Sequence, residues 1–149
     1  MSDHAAFHLT DDMRQRLISA AADARALAYV PYSNYPVGAA ILTASGAVVT
    51  GCNVENATYG ATICGERTAT VKAVSQGERD FHAIAVVTSN GASPCGICRQ
   101  VLYEFGPEMT VILADEQGEV CWEGPLSDLL PLGFGPKKLA EGQQEAARD

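Results

Sequence analysis

Residues 83 to 88 read Ala83-Ile84-Ala85-Val86-Val87-Thr88, apolar on both alternating faces. A strand that hides both faces lies inside a sheet covered by helices on either side. Downstream, Ile97, Val101, Leu102 and Phe105 recur at helical spacing until Gly106-Pro107 closes the segment, and Thr110 to Ala114 resumes a strand pattern. Strand, helix, strand in that order is a crossover unit, right-handed and parallel in nearly every case. Upstream, Thr10 with Asp11 and Asp12 reads as an N-cap followed by an acidic first turn. Met13, Leu17, Ala20, Ala21, Ala24, Leu27 and Ala28 then form one apolar stripe, so a helix is expected until Pro31 stops it. Val37 to Leu42 and Ala47 to Cys52 flank the turn residues Thr43-Ala44-Ser45-Gly46, the pattern of a hairpin. A helix from about Gly65 to Ser75, a short strand near Val120-Cys121-Trp122 and a helical turn from Ser127 to Leu130 complete the pattern. The expected class is α/β, a three-layer α/β/α arrangement around a mixed, roughly five-stranded sheet.

The 149 residues fit a single domain spanning 1–149, and a chain of that size buries roughly 68–70% of its unfolded surface. Residues 1–8 and 140–149 lack an apolar period and are expected to be loose. Eighteen acidic side chains against ten basic ones give a formal charge of −8, and the pI is about 4.7. Such a surface repels a phosphate backbone, which argues against a nucleic-acid partner and for a neutral small molecule. No uninterrupted apolar run approaches about 18 residues, the minimum for a membrane-spanning helix, so no membrane partner is expected. Five cysteines, an odd number with no charged-then-apolar leader before them, argue against a disulfide scaffold and for a reducing, cytoplasmic setting.

Cys95 and Cys98 stand in Ser93-Pro94-Cys95-Gly96-Ile97-Cys98-Arg99-Gln100, between the buried strand and the third helix. Cysteines three apart at a helix start share one face, and the free amide groups there favour thiolate. By itself the pair suits a redox site as well as a metal site. The discriminating feature is Cys64-Gly65-Glu66-Arg67, which opens another helix and supplies a third thiol. A redox pair needs neither a third cysteine nor a carboxylate, whereas a catalytic zinc takes three protein ligands and keeps one position open. Glu66, two residues beyond a ligand, could exchange protons at the open position without binding the metal. Cys52 and Cys121 remain as expected buried strand thiols. A non-catalytic zinc-stabilised module is the alternative from a different class, but neither these cysteines nor His4, His8 and His82 sit in an obvious ligand motif for the fourth position.

Pro31-Tyr32-Ser33, Val37-Gly38-Ala39-Ala40, Gly51-Cys52-Asn53-Val54-Glu55-Asn56-Ala57, Cys64-Gly65-Glu66-Arg67-Thr68-Ala69 and Pro94-Cys95-Gly96-Ile97-Cys98-Arg99-Gln100-Val101 follow one another in order. Together they resemble the small homotetrameric zinc-dependent cytidine deaminases, from about Leu17 to Leu139. The resemblance implies one Zn2+ per subunit on Cys64, Cys95 and Cys98, with Glu66 as proton shuttle. It implies hydrolytic deamination of cytidine and 2′-deoxycytidine to uridine and 2′-deoxyuridine with release of ammonia, a step of pyrimidine salvage. It also implies a homotetramer with sites shared between subunits. Asn53 and Glu55 match residues that hold the ribose hydroxyls, Tyr35 stands where the family usually has a Phe packed on the nucleoside, and Tyr59 matches an active-site aromatic. Phe134 matches a Phe that enters a neighbouring subunit's site, and Arg67 would offset the excess charge of three thiolates. Gly65 replaces the family's usual Ala and serves the pyrimidine through its backbone; a glycine loosens a helix start by ~0.5–1 kcal/mol. A deaminase of a related substrate such as blasticidin S is the nearest alternative.

Overall fold

The computed structural model describes residues 7–147. Thr10 caps the first helix, α1 (Asp11–Arg25), its hydroxyl accepting from the Met13 amide at 3.2 Å, and Asp11 and Asp12 occupy the first turn as the sequence predicts. The helix ends six residues before Pro31, not at it. The cause is a competing backbone partner: the Tyr29 amide donates to Asn53 O at 3.0 Å and the Glu55 amide donates to Tyr29 O at 2.9 Å. Leu27, read from its spacing as part of the buried stripe, is 79% exposed.

The hairpin β1 (Gly38–Thr43) and β2 (Val48–Cys52) is followed by α2 (Gly65–Ser75), β3 (Phe81–Val87), α3 (Gly96–Phe105), β4 (Thr110–Ala114) and β5 (Val120–Pro125). The strands form one mixed sheet in the order β2-β1-β3-β4-β5, with β3 and β4 parallel and the other neighbours antiparallel. The period of two along each strand sorts the core into two layers. Ala39, Ile41, Ile84, Val86 and Val111 face α2 and α3 with Ala69, Ala73 and Leu102. Ala40, Leu42, Ala83, Ala85, Val87 and Ile112 face α1 with Leu17, Ile18 and Ala21. Both faces of β3 are covered, and the three-layer arrangement is the one expected.

The periphery departs from the sequence reading in three places. β5 runs through Pro125, and as an edge strand it leaves Cys121 exposed rather than buried; Cys52 is partly buried. The chain after Gly135 is not a loose tail through residue 147: α4 (Leu126–Leu129) is followed by α5 (Pro136–Ala146). Proline at the first helical position and a run of Lys, Leu, Ala, Glu and Gln favour the helix without a core-facing stripe. At the other end Phe7 stacks on His82, with centroids 4.3 Å apart, and Leu9 joins the core, so the expected looseness does not extend to Phe7. Residues 1–6 and 148–149 of the expected loose termini lie outside the described residues.

Two glycines set how closely the helices approach the sheet. A Cβ on Gly38 would fall 1.9 Å from Ala21 O, and one on Gly51 would fall 2.3 Å from the Ala69 amide nitrogen. Backbone therefore lies on backbone at both crossings, which only glycine permits. The second crossing sets α2, and with it Cys64 and Glu66, against the end of β2. Gly51→Ala is expected to lower unfolding stability by about 1–3 kcal/mol or more, since a backbone rather than a side chain must move. Urea unfolding of the variant measures this.

Candidate active site

Parallel strands place ligand sites beyond their carboxyl ends, and the loop leaving β3 there carries the second cysteine motif. Cys64 is the N-cap of α2 and Cys95 the N-cap of α3, each with extended backbone, and Cys98 lies in the first turn of α3. Three sulfurs from two helix starts therefore meet. Cys64 Sγ lies 3.9 Å from Cys95 Sγ, Cys95 Sγ lies 3.4 Å from Cys98 Sγ, and all three fall within 4.8 Å of one another. Tetrahedral zinc with Zn–S bonds near 2.3 Å places its sulfurs roughly 3.8 Å apart, so the thiols fit the ion. Among the described residues this cluster holds three cysteines and no fourth donor, which leaves one coordination position open. A closed structural site would fill that position.

Glu66 is 5% exposed, and its Oε2 lies 3.8 Å from Cys98 Sγ. Burial pushes the carboxyl's pKa up from its ordinary value. Cys64 behaves in the opposite sense: the neighbouring Cys98 thiol, together with Arg67, brings it down to about 5. The same proximity to Cys64, with burial, pushes Cys98 up. Arg67 Nη2 lies 3.5 Å from Cys64 Sγ and 3.5 Å from Thr62 O, and its Nε is buried without a hydrogen-bond partner among the described residues. The guanidinium thus lies beside the Cys64 thiol.

Asn53 is buried at the end of the hairpin, where its Oδ1 accepts from the Val37 amide at 2.9 Å and its Nδ2 donates to Tyr35 O at 2.9 Å. The amide shapes the loop before β1 and leaves one proton and one lone pair uncommitted. Glu55 Oε1 accepts from the Tyr32 and Ser33 amides at 2.9 and 3.1 Å. The Ser33 side chain, with those amides, holds the Glu55 carboxyl below its ordinary range. Glu55 and Tyr59 line one cavity of about 370 Å³ with Tyr32, Ser33 and Thr62. Phe134 is not drawn into that cavity; it is 59% exposed, and its carbonyl accepts from Gln100 Nε2 at 2.8 Å on the outer side of α3.

Gly65 packs closely. A Cβ there would meet Val37 O at 3.1 Å and the Asn53 amide nitrogen at 3.3 Å, so the glycine seats the start of α2 against the loop that Asn53 organises. Arg99 was not singled out from sequence. Its guanidinium donates to Pro94 O at 2.7 Å, Leu129 O at 2.8 Å and Ser93 Oγ at 2.8 Å, bracing the loop ahead of Cys95 against the chain near α4. Its position next to Cys98 was visible, but its acceptors were not.

A cluster of three thiols with an open fourth position and a buried carboxyl beside it defines the class of catalytic zinc sites. The zinc-binding region of cytidine and deoxycytidylate deaminases matches residues 11–114 of this chain. The cytidine deaminase of Halalkalibacterium halodurans is 52% identical over 124 residues, covering 81% of this chain and 93% of the relative. That of Sporosarcina psychrophila is 46% identical over 134 residues, covering 88% and 98%. The crystal structure of cytidine deaminase from Burkholderia pseudomallei superposes with a TM-score of 0.76 at 50% identity, covering 80% of this chain and 97% of that one. The chain belongs to the cytidine deaminase family.

Two measurements check this geometry. Metal analysis is expected to give one zinc per chain in the parent and none in Cys98→Ala, whose melting temperature is expected to fall because ligation and folding are linked. Gly65→Ala is expected to gain none of the ~0.5–1 kcal/mol that alanine normally adds in a helix, because the methyl group meets backbone on the β1 side. Urea unfolding of the alanine variant reads that difference.

Proposed function

We propose that the chain catalyses the hydrolytic deamination of cytidine and 2′-deoxycytidine to uridine and 2′-deoxyuridine, releasing ammonia. The observation that carries this reading is the buried Glu66 carboxyl beside a three-thiol zinc site with one open position. The relatives at 46% and 52% identity, both cytidine deaminases, support cytidine as a substrate.

Cys64, Cys95 and Cys98 hold the zinc, which when bound supplies a Lewis acid that makes water nucleophilic near neutral pH. Glu66 accepts the proton of the attacking water and delivers it to N3 of the pyrimidine, which makes C4 electrophilic. The same carboxylate then takes the proton of the new C4 hydroxyl and delivers it to the amine, which departs as ammonia and leaves a carbonyl at C4, so one side chain serves as base and as acid. Arg67 and the amino ends of α2 and α3 offset the excess negative charge of three thiolates around a divalent ion. Asn53 and Glu55 hold the sugar hydroxyls, Tyr35 and Tyr59 flank the nucleoside, and the Gly65 backbone serves the base. A neutral nucleoside suits the chain's charge of −8 better than a nucleotide, because Glu55 repels a nearby phosphate.

The subunit arrangement belongs to the same proposal. Tyr29, Val54 and Ile63 are joined by backbone bridges yet stay exposed, and Tyr32 and Tyr59 pack edge to face 5.7 Å apart beside Glu55. Contiguous exposed apolar surface of this kind is covered in an assembly. A homotetramer in which Phe134 of one protomer enters a neighbour's site accounts for that surface and for Phe134's own exposure. Light scattering after gel filtration is expected to give about 63 kDa, four times the chain mass of 15.7 kDa; 15.7 kDa would refute the shared site.

Ultraviolet absorbance and ammonia release should be followed with cytidine, deoxycytidine, CMP and blasticidin S in parallel. Turnover of the first two is expected, and turnover of blasticidin S alone would move the assignment to that substrate. Glu66→Gln is expected to keep zinc and nucleoside binding while kcat falls by about 10²–10⁴. Retained turnover would remove Glu66 from the shuttle role.

A further inference from the structure

Tyr35 stands where the resembling family usually has Phe, so its hydroxyl is an addition that needs a partner. The structure supplies one. Tyr35 Oη donates to Asn90 Oδ1 at 2.5 Å, across 55 residues of chain. Asn90 is exposed, but the turn that carries it is anchored in the core. Thr88, 2% exposed at the end of β3, donates through Oγ1 to Asn90 Oδ1 at 3.4 Å and accepts from the Ala92 amide at 2.9 Å. The backbone of Tyr35 is held as well: its carbonyl accepts from Asn53 Nδ2 at 2.9 Å and its amide donates to Ser33 Oγ at 3.1 Å.

A tyrosine hydroxyl lies on the axis of its ring. A hydrogen bond to it permits the ring to flip about that axis but resists any tilt away from the acceptor. We propose that Asn90 is a positioning residue for nucleoside binding, fixing the tilt of the Tyr35 ring and tying the loop before β1 to the loop that leads into Cys95. This rests on the reading that the Tyr35 ring packs on the nucleoside. On that reading the loop before β1 serves the nucleoside, while the loop after β3 carries Asn90 and, five residues on, the metal ligand Cys95. The bond therefore sets the spacing between the surface that holds the base and the metal ligands that face it. Fixing the ring in the free protein removes an ordering cost from binding, so the effect falls on KM rather than on the chemical step.

The test compares Tyr35→Phe, Asn90→Ala, their double variant and Asn90→Asp, with Tyr35→Ala as reference, by steady-state kinetics on cytidine and by thermal unfolding. Tyr35→Phe and Asn90→Ala are each expected to raise KM about two- to tenfold, the range of one hydrogen bond, with kcat within about twofold. The double variant is expected to match the single ones, because both remove the same bond. Asn90→Asp keeps the acceptor and is expected to restore the parental KM. Melting temperatures are expected to stay within about 2 °C of the parent, separating positioning from folding. Additive effects, no rescue by Asn90→Asp, or an unchanged KM in Tyr35→Phe and Asn90→Ala while Tyr35→Ala raises it would overturn the positioning role and leave the nucleoside contact standing. An unchanged KM in Tyr35→Ala would remove the contact and the positioning role together. A parent inactive on cytidine would overturn the functional reading and this proposal with it.

Discussion

Two helix amino ends are brought to one point, and the site depends on that convergence. Cys64 and Cys95 occupy N-cap positions, where a Ser, Thr or Asp would ordinarily satisfy the free amides of the first turn. A thiolate in that place faces the positive ends of both helices. Three thiolates and one divalent ion carry a net charge of −1, a cost in a partly buried pocket unless fixed positive charge surrounds it. The helix ends and the Arg67 guanidinium provide it. The convergence in turn requires α2 to lie directly on β2, which the absence of a side chain at Gly51 allows.

The layering of the fold was legible because it is written in side-chain period. Residues 83 to 87 are apolar at every position, and in the sheet they supply both core layers, Ile84 and Val86 to one and Ala83, Ala85 and Val87 to the other. The end of α1 was not legible for a related reason. Leu27 and Ala28 continue the helical spacing, but Tyr29 gives its backbone to the segment from Asn53 to Glu55, and periodicity contains no information about a partner 24 residues away. The C-terminal helix failed in the other direction. Its composition favours helix, yet it turns no continuous stripe to the core, so a search for apolar spacing passes over it.

The site divides along the same line. Thiols reveal themselves by type and spacing, because few arrangements other than a metal centre need three of them near one carboxyl. The polar residues around them do not, since their work is long-range. Asn53 reaches Val37 and Tyr35, Arg99 reaches Leu129, and Tyr35 reaches Asn90. An amide or a guanidinium in a sequence announces donors and acceptors, but only the fold assigns their partners. Phe134 is the extreme case: one chain shows it exposed, and its occupant or host lies in another copy under the proposed assembly.

Burial differs across the site, and the difference suits the chemistry. Cys98 is wholly buried and Glu66 nearly so, whereas Cys95 among the thiols and Tyr32 and Tyr59 along the cavity are exposed. In the proposed shuttle role a carboxyl works best with its pKa moved toward the operating pH. Burial moves Glu66 that way, and the close packing around Gly65 and Cys98 holds the carboxyl in place. The nucleoside side has a different requirement. Substrate must enter and product leave, which the exposed Tyr32 and Tyr59 beside the cavity permit.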